Sequence, residues 1–357
     1  MEKNHSAKFS QGVFNTLAQS KTSSSAAAKC FPVIICGNGS DISNKERLCG
    51  RAKRKLITQS TILNLIKVAE ERGAKERVKA YRNTYYCQNR ILTVENKIHG
   101  KYCKNRFCTL CTAIRKAELI NKYLPVIATW EDAQFITLTV KSIPAARLQL
   151  IMRKMVEGFQ IIKNKYLKRS LRGKSIKLMG IRSLECNFNP LKKTYNPHWH
   201  IVVPNKIIAD ILMNEWMQLW SRRNKKWTHK DAQFVRPVKN TEKDMIEVIK
   251  YGAKIFTDPE GKKCKIPGNK RYVYAAALDN IYAAMKNLRL FDRFGFNLPK
   301  QLHIIKNQSR LTNNYEEWLY HPASKDWVNR NDEILTGYLA PFKLLNLLEL
   351  NVDIETN

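Results

Sequence analysis

Apolar and polar positions alternate over three short stretches of the chain and recur every three to four residues over several longer ones. Phe135-Ile136-Thr137-Leu138-Thr139-Val140, Ile181–Phe188 and His198–Val203 are rich in β-branched and aromatic residues, and each is predicted as a strand. From Ala145 to about Lys168, residues Leu148, Ile151, Met152, Met155, Phe159 and Ile162 form one stripe, the pattern of an amphipathic helix. Helical patterns also cover Leu56–Arg82, Thr112–Leu124 (closed by Pro125), Ile207–Trp220 and about Glu242–Phe256. The strands at 181–188 and 198–203 are joined by a polar loop containing Asn189-Pro190 and Lys192-Lys193, which predicts an antiparallel hairpin. The expected class is α+β, a central antiparallel sheet flanked by helices. No internal repeat is visible.

The strand after that loop carries unusual chemistry. Pro197 and Pro204 bracket His198-Trp199-His200-Ile201-Val202-Val203. Alternation points His198 and His200 the same way, about 7 Å apart along the chain. Trp199, Ile201 and Val203 point into an apolar layer. Two imidazoles on one face of a stiff element can hold one metal ion; they can equally be two half-buried histidines. Glu185 lies on the preceding strand. If that strand pairs so that Glu185 falls near His200, its carboxylate completes a metal site; a one-residue slip turns it away.

Charge narrows the class of partner. The chain has 63 Lys+Arg against 30 Asp+Glu, a formal net of +33. An excess of this size suits a polyanion, nucleic acid above all. It is confined to the body of the protein, since Leu311 onward is net acidic. No apolar run is long enough for a membrane span, and residues 1–20 have no apolar core of a signal peptide. Nine cysteines, four of them clustered, fit metal binding in a reducing cytoplasm better than a disulfide framework. The expected organisation is a mobile leader over 1–55, a helical, cysteine-bearing DNA-contact region over 56–125, the principal α+β domain over 126–300, and an acidic extension over 301–357.

The cysteine cluster is Cys87, Cys103, Cys108 and Cys111. Cys108-x2-Cys111 is the pair with ligand spacing, and four thiolates among basic residues fit a structural Zn²⁺ site. Cys30, Cys36, Cys49, Cys186 and Cys264 have no such spacing. Further along, Glu247, Tyr251 and Lys254 fall within roughly 60° of one another if 242–256 is a continuous helix. A carboxylate, a phenol and an ammonium on one face can serve as base, nucleophile and phosphate anchor; a surface helix with a half-buried tyrosine shows the same pattern. Candidate DNA contacts are Arg51–Lys55, Lys163–Lys177, Lys262-Lys263 and the run Arg222, Arg223, Lys225, Lys226, Trp227, with Trp227 and Tyr85-Tyr86 able to stack bases.

These elements, in this order, resemble the rolling-circle replication initiators (Rep proteins) of small bacterial plasmids, in the single-tyrosine subgroup of the HUH endonuclease superfamily. The resemblance rests on Phe135–Val140, on Pro197-His198-Trp199-His200-Ile201-Val202-Val203 and on Tyr251-Gly252-Ala253-Lys254. Cys103–Cys111 and Arg289-Leu290-Phe291-Asp292-Arg293-Phe294-Gly295 extend it, so that it covers about residues 85–296. It implies an HUH nuclease fold in which Tyr251 attacks a DNA phosphate and keeps the 5′ end. His198 and His200 would bind Mg²⁺ or Mn²⁺, and Glu247 would direct the hydrolysis that ends replication. It also implies a cytoplasmic enzyme acting on plasmid origin DNA at a single-stranded hairpin loop, with a host helicase and polymerase as partners and no membrane. Alternatives are a single-strand transposase or mobilisation relaxase of the same superfamily, or a zinc-dependent DNA-binding regulator without catalysis.

Overall fold

The computed structural model describes residues 42–94, 96–221, 227–249, 254–257, 271–298 and 315–355, all within the unit spanning Ile35–Asn357. Helix α1 (Lys45–Glu71) starts inside the segment expected as a leader, because Asn44 caps it by accepting from the Arg47 amide at 2.9 Å. The expected helical stretch 56–82 is two helices. Gly73, at φ +62°, ends the first, and α2 (Lys75–Tyr85) packs back against it. Strands β1 (Arg90–Val94) and β2 (Lys97–Gly100) form a hairpin. Helix α3 (Thr109–Ile127) keeps Pro125 in its last turn instead of stopping before it. Burial of Tyr123 and Ile127 against the main sheet outweighs the lost backbone bond.

The main sheet is built from β3 (Gln134–Thr139), β4 (Gly180–Asn189), β5 (Thr194–Val203), β6 (Phe234–Pro237) and β8 (Phe291–Phe294). Helix α4 (Ala145–Leu171) joins β3 to β4, and α5 (Lys206–Trp220) and α6 (Thr241–Ile249) flank β6. The short β7 (Val273–Tyr274) leads into α7 (Ala275–Ala284). The strand order is β6-β3-β5-β4-β8 and every pairing is antiparallel. Residue alternation gives the sheet two apolar faces. Ile136, Leu138, Leu184, Trp199, Ile201 and Val203 pack on α4, α5 and α7. Phe135, Ile181, Val202 and Phe291 pack on α3 and α6.

Pro197 lies inside central strand β5, a place that normally excludes proline. The Tyr195 amide and carbonyl both bond Ile143, on the β3 side. Two residues on, Pro197 faces the same side, in the gap between that bridge and the last β3 rung, Thr139↔His198. The missing N–H therefore removes no rung.

The acidic segment is not set apart. Strand β9 (Glu316–His321) pairs with β1, and β10 (Asp326–Val328) pairs with β9, giving a second sheet of order β10-β9-β1-β2. Trp318, Tyr320 and Trp327 bury against Leu48, Ala52, Ile91 and Ile98, and this apolar contact draws the segment back onto the N-terminal region. Helix α8 (Phe342–Glu349) and β11 (Val352–Asp353) follow, with β11 parallel to β7. Among the described residues, no helix is long and apolar enough to cross a membrane.

Candidate metal centre and catalytic cleft

His198 and His200 project from the α3/α6 face of β5. The hairpin register sets Glu185 opposite His198 and Ser183 opposite His200. The Glu185 carboxylate nevertheless reaches both rings, with Oε2 at 4.0 Å from His198 Nε2 and 3.8 Å from His200 Nε2. One ligand atom from each of the three residues lies within 4.8 Å of the others, so the group could hold a metal ion.

The far side of each ring is fixed. His198 Nδ1 donates to the Asn196 carbonyl at 3.0 Å, which leaves Nε2 with its lone pair toward Glu185. His200 Nδ1 meets Thr137 Oγ1 at 3.2 Å, and its ring lies 5.3 Å from that of Phe135. Such outer partners set tautomer and ring angle in metal sites. Burial lowers the basicity of His198; the Asn196 carbonyl and Glu247 oppose this, and Lys254 adds to it. The imidazole is thereby kept neutral, the form that coordinates. Two imidazoles and one carboxylate, held this way, could hold a divalent metal ion.

The three residues sit in a cleft of about 660 Å³. Its floor includes Thr137, Thr139, Asn187 and Asn196 of the sheet. Thr112 and Lys116 of α3, Arg106, Glu247 of α6 and Lys254 form its walls. The sequence pattern did not single out the α3 residues or Arg106, because they belong to a distant segment brought here by the packing of α3 on α6.

The helix expected over 242–256 is described over Thr241–Ile249, and Lys254 to Thr257 are not helical. Thr257 exchanges two backbone bonds with Tyr272 at 2.8 Å each, while Ile255 and Phe256 pack on the α1/α2 core. These tertiary contacts hold residues 255–257 in a non-helical path. Lys254 still faces the cleft with Glu247, but not as part of one helical face. Tyr251 lies outside the described residues, as do Arg222, Arg223, Lys225 and Lys226.

The four cysteines converge. Cys111 Sγ is 3.6 Å from both Cys87 Sγ and Cys103 Sγ, far beyond a disulfide bond, and all four sulfurs lie within 4.8 Å of one another. Cys108 caps α3 and Cys111 is in its first turn. Backbone amides point at the sulfurs: Cys111 N at Cys108 Sγ (3.5 Å) and Asn105 N at Cys103 Sγ (3.4 Å). A largely buried four-thiol set with amide donors, Cys103 alone being half-buried, could hold a structural Zn²⁺ ion. Because α3 also carries Thr112 and Lys116, this site and the cleft share one rigid element.

Several candidate DNA contacts have structural roles. Lys55 is fully buried and donates to the carbonyls of Tyr85 (2.9 Å) and Cys87 (2.7 Å) and to Asn89 Oδ1 (2.6 Å). Burial pushes its ammonium down to about 8, against the pull of the nearby cysteines. Arg51 is buried on Gln88, and Tyr85 is buried in the α1/α2 core. Trp227 packs beside Trp220 under the Arg147 guanidinium, 4.9 Å from the ring, and does not line the cleft.

A family model described as a replication protein matches residues 95–316 of this chain. A "Protein rep" of Staphylococcus aureus is 29% identical over 188 residues, covering 48% of this chain and 79% of that protein. One from Bacillus sp is 28% identical over 213 residues, covering 52% and 66%. One from Bacillus amyloliquefaciens is 32% identical over 135 residues, covering 35% and 38%. No solved structure matches.

Proposed function

The chain belongs to this family of replication proteins, and from that premise we propose that it initiates rolling-circle replication of a plasmid by nicking one strand of origin DNA. The observation that carries the reading is the convergence of Glu185, His198 and His200 in a cleft that also holds Glu247 and Lys254. In this reading Tyr251, three residues before Lys254, is the nucleophile. Its phenol oxygen forms a bond to the scissile phosphorus as the bond to the 3′ oxygen breaks. The phenol proton is lost, the leaving 3′ oxygen gains one, and the 5′ end stays on the enzyme as a phosphotyrosine.

Lys254 offsets the charge that builds on the phosphate oxygens. Glu247 acts later, as the base that takes a proton from the water or 3′-hydroxyl that releases the product. A divalent ion held by Glu185, His198 and His200 would supply Lewis-acid polarisation of the scissile phosphate. Cys87, Cys103, Cys108 and Cys111 would hold Zn²⁺, which would fix the position of α3 and hence of one cleft wall. The freed 3′-hydroxyl primes a host polymerase, with a host helicase opening the duplex.

The test is to incubate the protein with single-stranded origin DNA and Mn²⁺ and look for a covalent adduct on a denaturing gel. Tyr251→Phe should remove the adduct and leave binding. Binding without an adduct under any divalent ion would overturn nicking in favour of a DNA-binding regulator. Glu247→Ala should still form the adduct but release it slowly; equal loss of both steps would remove its assigned role.

A further inference from the structure

The metal cleft does not end at its own walls. Arg106 also lines a second cleft of about 370 Å³ between α3 and β8, together with Lys104, Arg115 and Arg289. A third cleft, about 440 Å³, begins where the second stops, since Arg289 and Asp292 line both. Its other cations are Lys163 of α4, Lys177 and Arg293.

The route changes faces of the sheet. Strand β8 is an edge strand, and its side chains alternate. Phe291, opposite Ser183, points to the α3 side, and Asp292, opposite Arg182, points to the α4 side. The second cleft lies on the α3 face and the third on the α4 face. Gly295 makes the turn after β8: its φ is +77°, and a Cβ there would come within 1.9 Å of the Leu178 carbonyl. The chain can therefore lie flat against Leu178, next to Lys177, and leave the cleft open.

Charge along the route is one-sided. Four cations line each of the two clefts, and Asp292 is the one carboxylate among their described lining residues. Asp292 is already engaged by Arg289 at 3.1 Å and faces Arg182 at 3.9 Å. Burial and the cations Arg182 and Arg289 hold the Lys163 ammonium below its ordinary value, against Asp292. An anion that enters here relieves that crowding.

We propose that a single DNA strand leaving the cleavage cleft runs past Arg106, rounds the β8 edge at Arg289, and ends on Lys163 and Lys177. The inference rests on the nicking reading for the strand's origin. A duplex is the poorer occupant, because its persistence length of about 150 base pairs opposes a turn around one sheet edge, whereas a single strand turns freely.

The test uses full-length protein with labelled thirty-nucleotide oligothymidine and a thirty-base-pair duplex, titrated over a range of salt. Each lost single-strand phosphate contact lowers the log–log salt slope by about 0.7, so Lys163→Gln/Lys177→Gln should lower it by about 1.4 and weaken binding roughly 25-fold near 0.1 M salt. Lys67→Gln/Lys343→Gln removes the same charge from exposed positions outside the clefts and should change the slope much less. The duplex should show a smaller loss than the single strand. An unchanged slope, an equal loss in the Lys67/Lys343 pair, or an equal loss on duplex would each overturn the track. Cutting plays no part in this readout. A missing tyrosine adduct with the expected slope change sinks nicking alone, and an intact adduct with an unchanged slope sinks the track alone.

Discussion

Replacing Asp279 tests what joins the N-terminal helices to the sheet that carries His198 and His200. This fully buried carboxylate on α7 accepts from Arg72 Nη1 at 2.6 Å, Arg77 Nε at 2.8 Å and Tyr81 Oη at 2.8 Å. Next to it, Asn280 accepts from Arg72 at 2.9 Å and donates to Tyr195 Oη at 2.7 Å, on the strand that carries His198 and His200. In Asp279→Ala the two arginines fare differently from the tyrosine. Their side chains keep 22% and 26% exposure, so water recovers most of their charge and each lost ion pair costs about 1 kcal/mol. The Tyr81 hydroxyl is buried and stays protonated, held up by burial and by Asp279 itself. Left unsatisfied, it costs a further 1–3 kcal/mol or about that. The expected total is about 3–5 kcal/mol, which at roughly 2 °C per kcal/mol lowers the melting temperature by about 6–10 °C. Asp279→Asn retains an acceptor for Tyr81 and should lose only about 2–4 °C. Melting followed by circular dichroism decides. An Asp279→Ala protein within 1 °C or so of wild type would falsify the reasoning.

Three further outcomes follow from the same structure. Trp327→Ala should cost about 3–5 kcal/mol in urea unfolding, because a buried indole that donates to the Gln88 carbonyl at 2.7 Å is lost; a cost under about 1 kcal/mol would contradict its place in the core. Thr137→Val removes the partner of His200 Nδ1 and should weaken Mn²⁺ binding by about tenfold or more in calorimetry, and unchanged affinity would show that Thr137 does not orient the ring. Cys108→Ser should abolish stoichiometric zinc in metal analysis and raise amide exchange in α3; full zinc content in the variant would remove Cys108 from the site.

The parts of the molecule legible in the sequence are those set by local periodicity. Alternation in 198–203 gave the face of both histidines, and the stripe from Leu148 to Ile162 is the buried side of α4. Glu185 was legible because a hairpin leaves few registers, although it sits opposite His198 and not His200. What the sequence hid depends on partners far along the chain. Arg51 and Lys55 read as a basic patch, yet buried carbonyls and Gln88 hold them inside. Ile255 and Phe256 fit a helical stripe, but the α1/α2 core takes them instead. Net acidity suggested a separate tail, whereas Trp318 and Trp327 carry more apolar area than its few charges can oppose.

The pairing of β1 with β9 also has a consequence during synthesis. Trp318 donates to Thr93 across a separation of 225 residues. At roughly 5–20 residues per second, β1 waits about 10–45 s on the ribosome before its partner strand exists. Through that interval one edge of the β1-β2 hairpin is unpaired, and Leu48, Ile91 and Ile98 lack their aromatic cover. The cysteine-bearing region and the main sheet are made before β9 and β10, which then close the layer against α1. A premature stop after the cleft residues would leave that edge open to aggregation and proteolysis. Strands β9 and β10 thus close an edge and an apolar patch that stay open until Val328 has been made.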